Sequence, residues 1–145
     1  MYKDIVDKKG NTFYALKADI VNKAQDDLGI IIPVELKEFY DQIGYGFLRS
    51  EEENFNRILD PYSLCEFRFR EGQFANSPDL DIYEEDERDK LIFFEICEGV
   101  FLSIGFSKEN KGKIFSGNKQ IADSLREFLI KYQTNEDYWE VEPEN

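Results

Sequence analysis

The apolar positions near the N-terminus predict two short helices followed by a strand. An apolar stripe at four-residue intervals indicates a helix over residues 18–28, which Gly29 is placed to end. The next segment, "IIIP", is expected to be extended, because the residue before a proline disfavours helical conformation. A second helix then starts with Pro33 at its first position and ends at Gly44. Gly46 is expected to form the turn into the strand "FLR".

The middle of the chain predicts a third helix and a pair of buried strands. Asp60 suits the N-cap of this helix, Pro61 suits its first position, and Gly72 is expected to end it. The almost continuous apolar run "LIFFEI" is typical of a strand that is covered on both faces. We expect it to form a hairpin with "VFLSIGF", and "GKIFSG" predicts a third short strand.

The clearest amphipathic pattern lies near the C-terminus and predicts a helix that packs on the sheet. Its apolar face carries Ile121, Leu125, Phe128, Leu129 and Tyr132. The preceding "FSGNKQIA" lacks the Gly-Lys-Ser/Thr ending of a phosphate-binding loop, so we interpret it as a helix cap. No repeat or linker is present, which predicts one α+β domain over residues 1–145. Its core spans residues 18–132, and an acidic tail over 134–145 carries Tyr138 and Trp139, either as a clasp onto the body or as an anchor for a partner.

The residue types present exclude several kinds of chemistry. The chain of 145 residues has no histidine, which removes Ser-His-Asp and Cys-His activation of a nucleophile and the usual zinc sites. Cys65 and Cys97 lie in apolar surroundings, where free thiols behave as small hydrophobic groups, and a disulfide between them stays open. We expect no catalytic residue, no metal and no cofactor. A carboxylate-based, metal-dependent hydrolase, for which Glu95 and Glu98 are a candidate pair, is the remaining enzymatic alternative.

The charge balance indicates what kind of partner the protein binds. With 18 basic and 31 acidic residues, the formal net charge is −13. Because affinity for phosphates depends on Lys and Arg, we expect no direct binding to nucleic acid or to a membrane surface. The charge favours a basic partner through long-range attraction, although an acidic surface also keeps a protein soluble. The N-terminal residues lack the pattern of a signal peptide, and we expect a cytoplasmic protein.

The densest negative charge lies in "NSPDLDIYEEDERDK", which has seven acids and one arginine before Lys90. Asp79 and Asp81 have the spacing of a calcium loop, but Tyr83 and Glu84 replace the next oxygen ligand and the turn glycine. We therefore interpret this stretch as an exposed loop or short helix outside the core and not as a calcium site.

Together these segments resemble the SUKH superfamily, which includes the yeast cell-wall regulator family and many bacterial immunity proteins. The resemblance rests on "LGIIIPVELKEFYDQIGYGFL", on "KLIFFEICEGVFLSIGF" followed by "GKIFSG", and on "IADSLREFLIKY", in that order. "RILDP" and the acidic stretch are similar to the bacterial subgroup that is paired with LXG-type toxins. The resemblance implies an α+β domain with a central mixed or antiparallel sheet, N-terminal helices and a C-terminal amphipathic helix.

The resemblance also implies a function as an antitoxin, which binds a cognate basic toxin domain, often a nuclease, and blocks it without catalysis. The partner-binding residues that we predict are Asp79, Asp81, Glu84, Glu85, Asp86 and Glu87, with Glu51, Glu52 and Glu53 as a second group. We expect a monomer or a weak dimer. A non-enzymatic intracellular scaffold or regulator of the same superfamily is the alternative.

Overall fold

The sheet has seven strands, and every described pair is antiparallel. The computed structural model describes residues 2–7, 10–48, 56–96 and 99–134. The strands lie in the sheet in their chain order: β1 (Thr12–Tyr14), β2 (Tyr45–Leu48), β3 (Asn56–Ile58), β4 (Lys90–Ile96), β5 (Val100–Gly105), β6 (Ile114–Ser116) and β7 (Lys119–Ala122). The central sheet that was predicted as mixed or antiparallel is therefore an antiparallel meander.

Helices interrupt this meander and cover both faces of the sheet, so the fold is α+β, as predicted. The α-helices are α1 (Lys3–Val6), α2 (Ala18–Leu28), α3 (Val34–Gln42), α4 (Pro61–Phe69) and α5 (Leu125–Thr134). Three short 3₁₀-helices follow α4, at Gly72–Phe74, Pro78–Tyr83 and Asp86–Arg88. Within the described ranges, no helix has the length and apolar character that crossing a bilayer requires.

The strand register determines which helices cover which face. Ile58, Phe94 and Leu102 are aligned across β3, β4 and β5. The Phe94 ring lies 5.1 Å from that of Phe128 in α5, and Phe13 of β1 contacts Phe39 of α3. This side is called the α3/α5 face below.

The opposite face is covered by α4 and the 3₁₀-helices. Phe101, which neighbours Leu102 in the chain, points to this side because side chains alternate along a strand. Its ring lies 4.8 Å from that of Phe67 in α4. This side is called the α4 face below.

Local sequence signals explain the first helices. Helix α2 has the predicted bounds, and Gly29 ends it in the left-handed conformation with φ 66°, where its N–H donates to the carbonyl of Gln25. Pro33 is the N-cap of α3 and not its first helical residue, so the helix starts at Val34, one position later than predicted. The buried face of α3 carries Leu36, Phe39 and Tyr40, in agreement with its apolar spacing.

Three predictions about element ends are wrong. Helix α4 ends at Phe69, and Arg70, not Gly72, is its left-handed C-cap. Ile121 belongs to β7 and not to the last helix, because α5 starts at Leu125, after Ser124. The hydroxyl of Ser124 accepts a hydrogen bond of 3.1 Å from the backbone N–H of Glu127, as N-cap residues do. "FSGNKQIA" is accordingly the β6–β7 hairpin and not a helix cap.

Gly46 lies within β2 and not in the predicted turn before it. A Cβ atom at this position would lie 2.1 Å from the carbonyl oxygen of Thr12, so the glycine allows β1 to approach β2 closely. Gly44, with φ 119°, has the same role opposite Tyr14. These two glycines position β1, a strand that the sequence analysis did not predict.

Candidate partner-binding surface

The predicted acidic loop is folded onto the sheet by two of its own apolar side chains. We call residues 78–89, which include two of the 3₁₀-helices, the acidic segment. Leu80 and Tyr83 of this segment are buried and belong to the hydrophobic core. The prediction that this stretch contributes nothing to the core is therefore wrong, although its short helices were anticipated.

Tyr83 attaches the acidic segment to β5. Its ring contacts those of Phe67 and Phe101, with centroids 5.9 and 5.5 Å away. Its hydroxyl accepts a hydrogen bond of 3.0 Å from the backbone N–H of Phe101. Burial raises the pKa of Tyr83, so the hydroxyl keeps its proton at neutral pH.

Arg70 binds the acidic segment through its guanidinium group. Its Nη2 donates to the carboxylate of Glu87 at 2.6 Å and to the carbonyl of Leu80 at 3.1 Å. The guanidinium also lies over the ring of Phe67, 4.7 Å from its centroid. Arg68 donates to the backbone carbonyl of Glu87 at 3.0 Å. The two arginines thus bind both ends of the segment, and this fixes its course on the α4 face.

The predicted partner-binding acids differ in their availability. Asp79, Asp81, Glu84 and Glu85 have exposed side chains. Asp86 is half-buried, and desolvation raises its pKa.

Glu87 has its carboxylate in the ion pair with Arg70, and burial raises its pKa more than the arginine lowers it. The second predicted group, Glu51, Glu52 and Glu53, lies outside the described residues. The structure therefore leaves the side chains of Asp79, Asp81, Glu84 and Glu85 exposed at the surface of the acidic segment.

An exposed isoleucine lies among these carboxylates. Ile82 has 75% of its surface exposed and follows Asp81 directly in the chain. It borders an open cleft of about 450 Å³, whose polar walls include Glu85, Asp86 and Asn118. The sequence analysis missed Ile82, since a lone apolar residue in an acidic run carries no periodic signal.

The carboxylate pair considered for acid–base chemistry has a structural role at the one member that is described. Glu95 accepts a hydrogen bond of 2.7 Å from Nε of Arg57 and one of 3.2 Å from the backbone N–H of Gly99. Glu98 lies outside the described residues, as do Cys97, Tyr138 and Trp139. Cys65 is a free thiol. In the part of the chain that the structure describes, no three Cys, Asp or Glu side chains are grouped to hold a metal ion.

Comparison with known proteins places this fold in a family. The family described as SMI1/KNR4 (SUKH-1) matches residues 15–131. A protein of Bacillus subtilis (strain 168) named "Immunity protein YxxD" is 44% identical over 138 residues, which cover 95% of this chain and 94% of that protein. No solved structure matches the chain significantly. Since the family match covers most of the chain and the relative aligns along almost its whole length, the chain belongs to the SMI1/KNR4 (SUKH-1) family.

Proposed function

We propose that the protein is an immunity protein, which binds a cognate toxin domain and neutralises it without catalysis. The observation that carries this proposal is the 44% identity to an immunity protein over almost the full length of both chains. At this identity over almost the full length of both chains, the two proteins share their fold. The same observation favours this function over that of an intracellular scaffold or regulator, the alternative within the family.

The chemistry of the surface supports a basic toxin domain as the partner, and we propose a nuclease of the LXG type. A nuclease needs a cleft that binds phosphate groups, and fixed carboxylates can occupy such a cleft in place of the phosphates. The net charge of −13 attracts a basic domain over a distance of about one Debye length. Attraction of this kind raises association rates to about 10⁸–10⁹ M⁻¹s⁻¹ at low salt, for which barnase and barstar are the standard example.

We propose the acidic segment as the principal contact. Asp79, Asp81, Glu84 and Glu85 have exposed side chains, and Asp86 borders the adjacent cleft. Glu87 contributes mainly by holding the segment, because Arg70 already neutralises its carboxylate. Glu51, Glu52 and Glu53 remain a second predicted group. In this proposal residues 1–145 form one domain that acts in the cytoplasm as a monomer or weak dimer and uses no cofactor.

The first experiment tests the function itself. The product of the gene adjacent to this one is expressed in a sensitive host with and without this protein, and the two proteins are purified together. We expect growth to be rescued and a complex to be recovered. Rescue by enzymatic modification of the toxin, without a stable complex, would contradict binding as the mechanism.

The second experiment tests the surface with a matched control. One variant combines Asp79→Asn, Asp81→Asn, Glu84→Gln and Glu85→Gln. The control combines Asp19→Asn, Asp26→Asn, Asp41→Asn and Glu109→Gln, which remove the same charge from exposed positions elsewhere. We expect the association rate at low salt to fall at least about tenfold in the first variant and less than about threefold in the control. Equal effects would mean that net charge and not the acidic segment determines binding.

A further inference from the structure

Three aromatic rings form an exposed patch at one end of the sheet. Tyr14 of β1 lies 5.5 Å from Tyr45 and 6.4 Å from Phe47 of β2, measured between ring centroids. Tyr14 has 48% of its surface exposed, and the other two rings are half-buried. We call these three residues the aromatic patch. Large exposed rings that contact one another are unusual on the surface of a strongly charged protein.

The aromatic patch lies on the same side of the molecule as the acidic segment. Phe47 is aligned with Arg57, Arg57 with Glu95, and Glu95 with Phe101. Residues aligned in this way point to the same face, so the patch is on the α4 face. Tyr83 of the acidic segment covers Phe101 on that face. Three strand spacings separate β2 from β5, a distance of about 14 Å.

The polar residues between the two surfaces already have partners. The guanidinium of Arg57 donates to Glu95 at 2.7 Å and to the side chain of Gln73 at 2.9 Å. Because the charge of Arg57 is paired with that of Glu95, a partner can cover both groups without leaving a charge unpaired. They connect the acidic segment with the aromatic patch into one surface.

We infer that the aromatic patch is the apolar anchor of the partner-binding surface, and this rests on the proposed function. A standard interface buries about 800 Å² on each partner, roughly 30 Å across, which is wide enough to include both surfaces. Aromatic rings contribute most of the binding energy of such interfaces when a partner excludes water from them. The basic partner domain binds the aromatic patch. It does so with an apolar surface of its own that is surrounded by lysines or arginines.

The charge on this protein identifies the occupant. A second copy of the chain also has a net charge of −13, and repulsion between the two copies opposes self-association through the patch. A basic partner instead gains from the acids on this side.

The two parts of the surface have separable kinetic roles. Charges act over a distance and therefore change the rate of association and its dependence on salt. Rings act only in the docked complex and therefore change the rate of dissociation. The patch and the acidic segment can thus be distinguished in one binding experiment.

The test uses Tyr14→Ser, with Tyr62→Ser as the control. Tyr62 is a tyrosine of similar exposure, 60%, and it belongs to α4, near Lys23 of α2, and not to β1 or β2. Binding to the toxin domain is followed by surface plasmon resonance at two salt concentrations. We expect Tyr14→Ser to raise the dissociation rate at least about tenfold and to leave the association rate within about threefold. Tyr62→Ser should change neither rate, and Tyr14→Phe, which keeps the ring, should bind like the wild type.

Each other outcome overturns the inference in a recognisable way. If the wild type binds the toxin domain and Tyr14→Ser dissociates no faster than Tyr62→Ser, this inference fails and the proposed function stands. If the wild type does not bind at all, both fail. If Tyr14→Ser changes the sedimentation of the free protein, the patch packs against a second copy of the chain and not against the partner.

Discussion

Replacing Tyr83 with phenylalanine tests how firmly the acidic segment is attached to the sheet. The change removes one oxygen atom, which accepts the backbone N–H of Phe101 at 3.0 Å. Pairing between β5 and β6 covers only Ser103 and Ile104, so the backbone of Phe101 has no partner in β6. The hydroxyl of Tyr83 takes the place of a strand at this point.

The expected loss of stability follows from the burial of both residues. Phe101 and Tyr83 are buried, and water cannot readily replace the lost acceptor. Leaving a buried backbone N–H unsatisfied costs about 1–3 kcal/mol. The ring itself remains in contact with Phe67 and Phe101, so no cavity of the size left by an alanine is added. We therefore expect Tyr83→Phe to lower the free energy of unfolding by about 1–2 kcal/mol.

Urea unfolding with Tyr62→Phe as the control measures this loss. For a slope of about 1–3 kcal/mol/M, the midpoint of Tyr83→Phe should fall by roughly 0.3–2 M with an unchanged slope. The hydroxyl of the exposed Tyr62 has no buried partner, so the control should stay within about 0.5 kcal/mol of the wild type. Hydrogen exchange at the Phe101 amide should become faster in the variant. A midpoint equal to that of the control, with unchanged exchange, would refute the attachment through this hydroxyl.

Three further substitutions test other parts of the fold. Gly46→Ala should destabilise the protein by about 2 kcal/mol or more in thermal melts, since the new Cβ meets the carbonyl of Thr12 at 2.1 Å; an unchanged melting temperature would contradict the close approach of β1. Glu87→Ala should lower the free energy of unfolding by about 1–3 kcal/mol by leaving Arg70 without its carboxylate, and Glu87→Gln, which keeps an acceptor, should cost less. Burial raises the folded-state pKa of Glu87. The wild type should therefore lose stability relative to Glu87→Gln as pH rises from about 4.3 through that pKa. A gain in the relative stability of the wild type over this range, measured by urea unfolding, would refute the expectation. Tyr2→Phe should be neutral or stabilising at pH 8, since the buried hydroxyl has no hydrogen-bond partner among the described residues. Burial, and to a smaller extent Glu35, raises the pKa of Tyr2 to about 12. The wild type should therefore lose stability relative to Tyr2→Phe between about pH 10 and 12. Parallel curves of stability against pH for the two proteins would exclude this raised pKa.

Strong local signals made part of the fold predictable from the sequence. Helix α2 has the predicted bounds because an apolar stripe and a terminal glycine indicate the same element. The hairpin of β4 and β5 was predictable because its apolar runs are long enough to exclude a surface loop. In each case the element could be predicted from its own residues, without knowledge of its contacts with distant parts of the chain.

The elements that were missed depend on contacts with distant residues. β1 has three residues and forms only because Gly46 allows it to approach β2. β7 contains Ile121, whose helical spacing with the residues of α5 was coincidental, and pairing with β6 determined its conformation. In β1 and β7, too few apolar positions are present for a strand period to be recognised.

The candidate surface was predictable in its charge and not in its geometry. Composition identified the acidic segment, but it could not separate the exposed Glu84 from Glu87, which Arg70 neutralises. Arg70 has a left-handed backbone conformation, with φ 54°, which directs its side chain towards the acidic segment. This conformation is uncommon for a residue other than glycine, and no feature of the sequence predicts it. The aromatic patch was invisible for a similar reason, since Tyr14 and Tyr45 meet only through the pairing of β1 with β2.

The way in which the acidic segment is held favours recognition over solubility as its role. Solubility requires charge but not position, and a disordered acidic loop would supply it equally well. Here Leu80, Tyr83 and Arg70 fix the backbone between the carboxylates, at the cost of burying a guanidinium and a phenol. A surface whose charges are already in place loses little conformational entropy when a partner docks, so more of the interaction energy appears as affinity. A partner whose own basic groups are equally fixed gains most from this arrangement, as is expected for a folded toxin domain and not for an extended basic peptide.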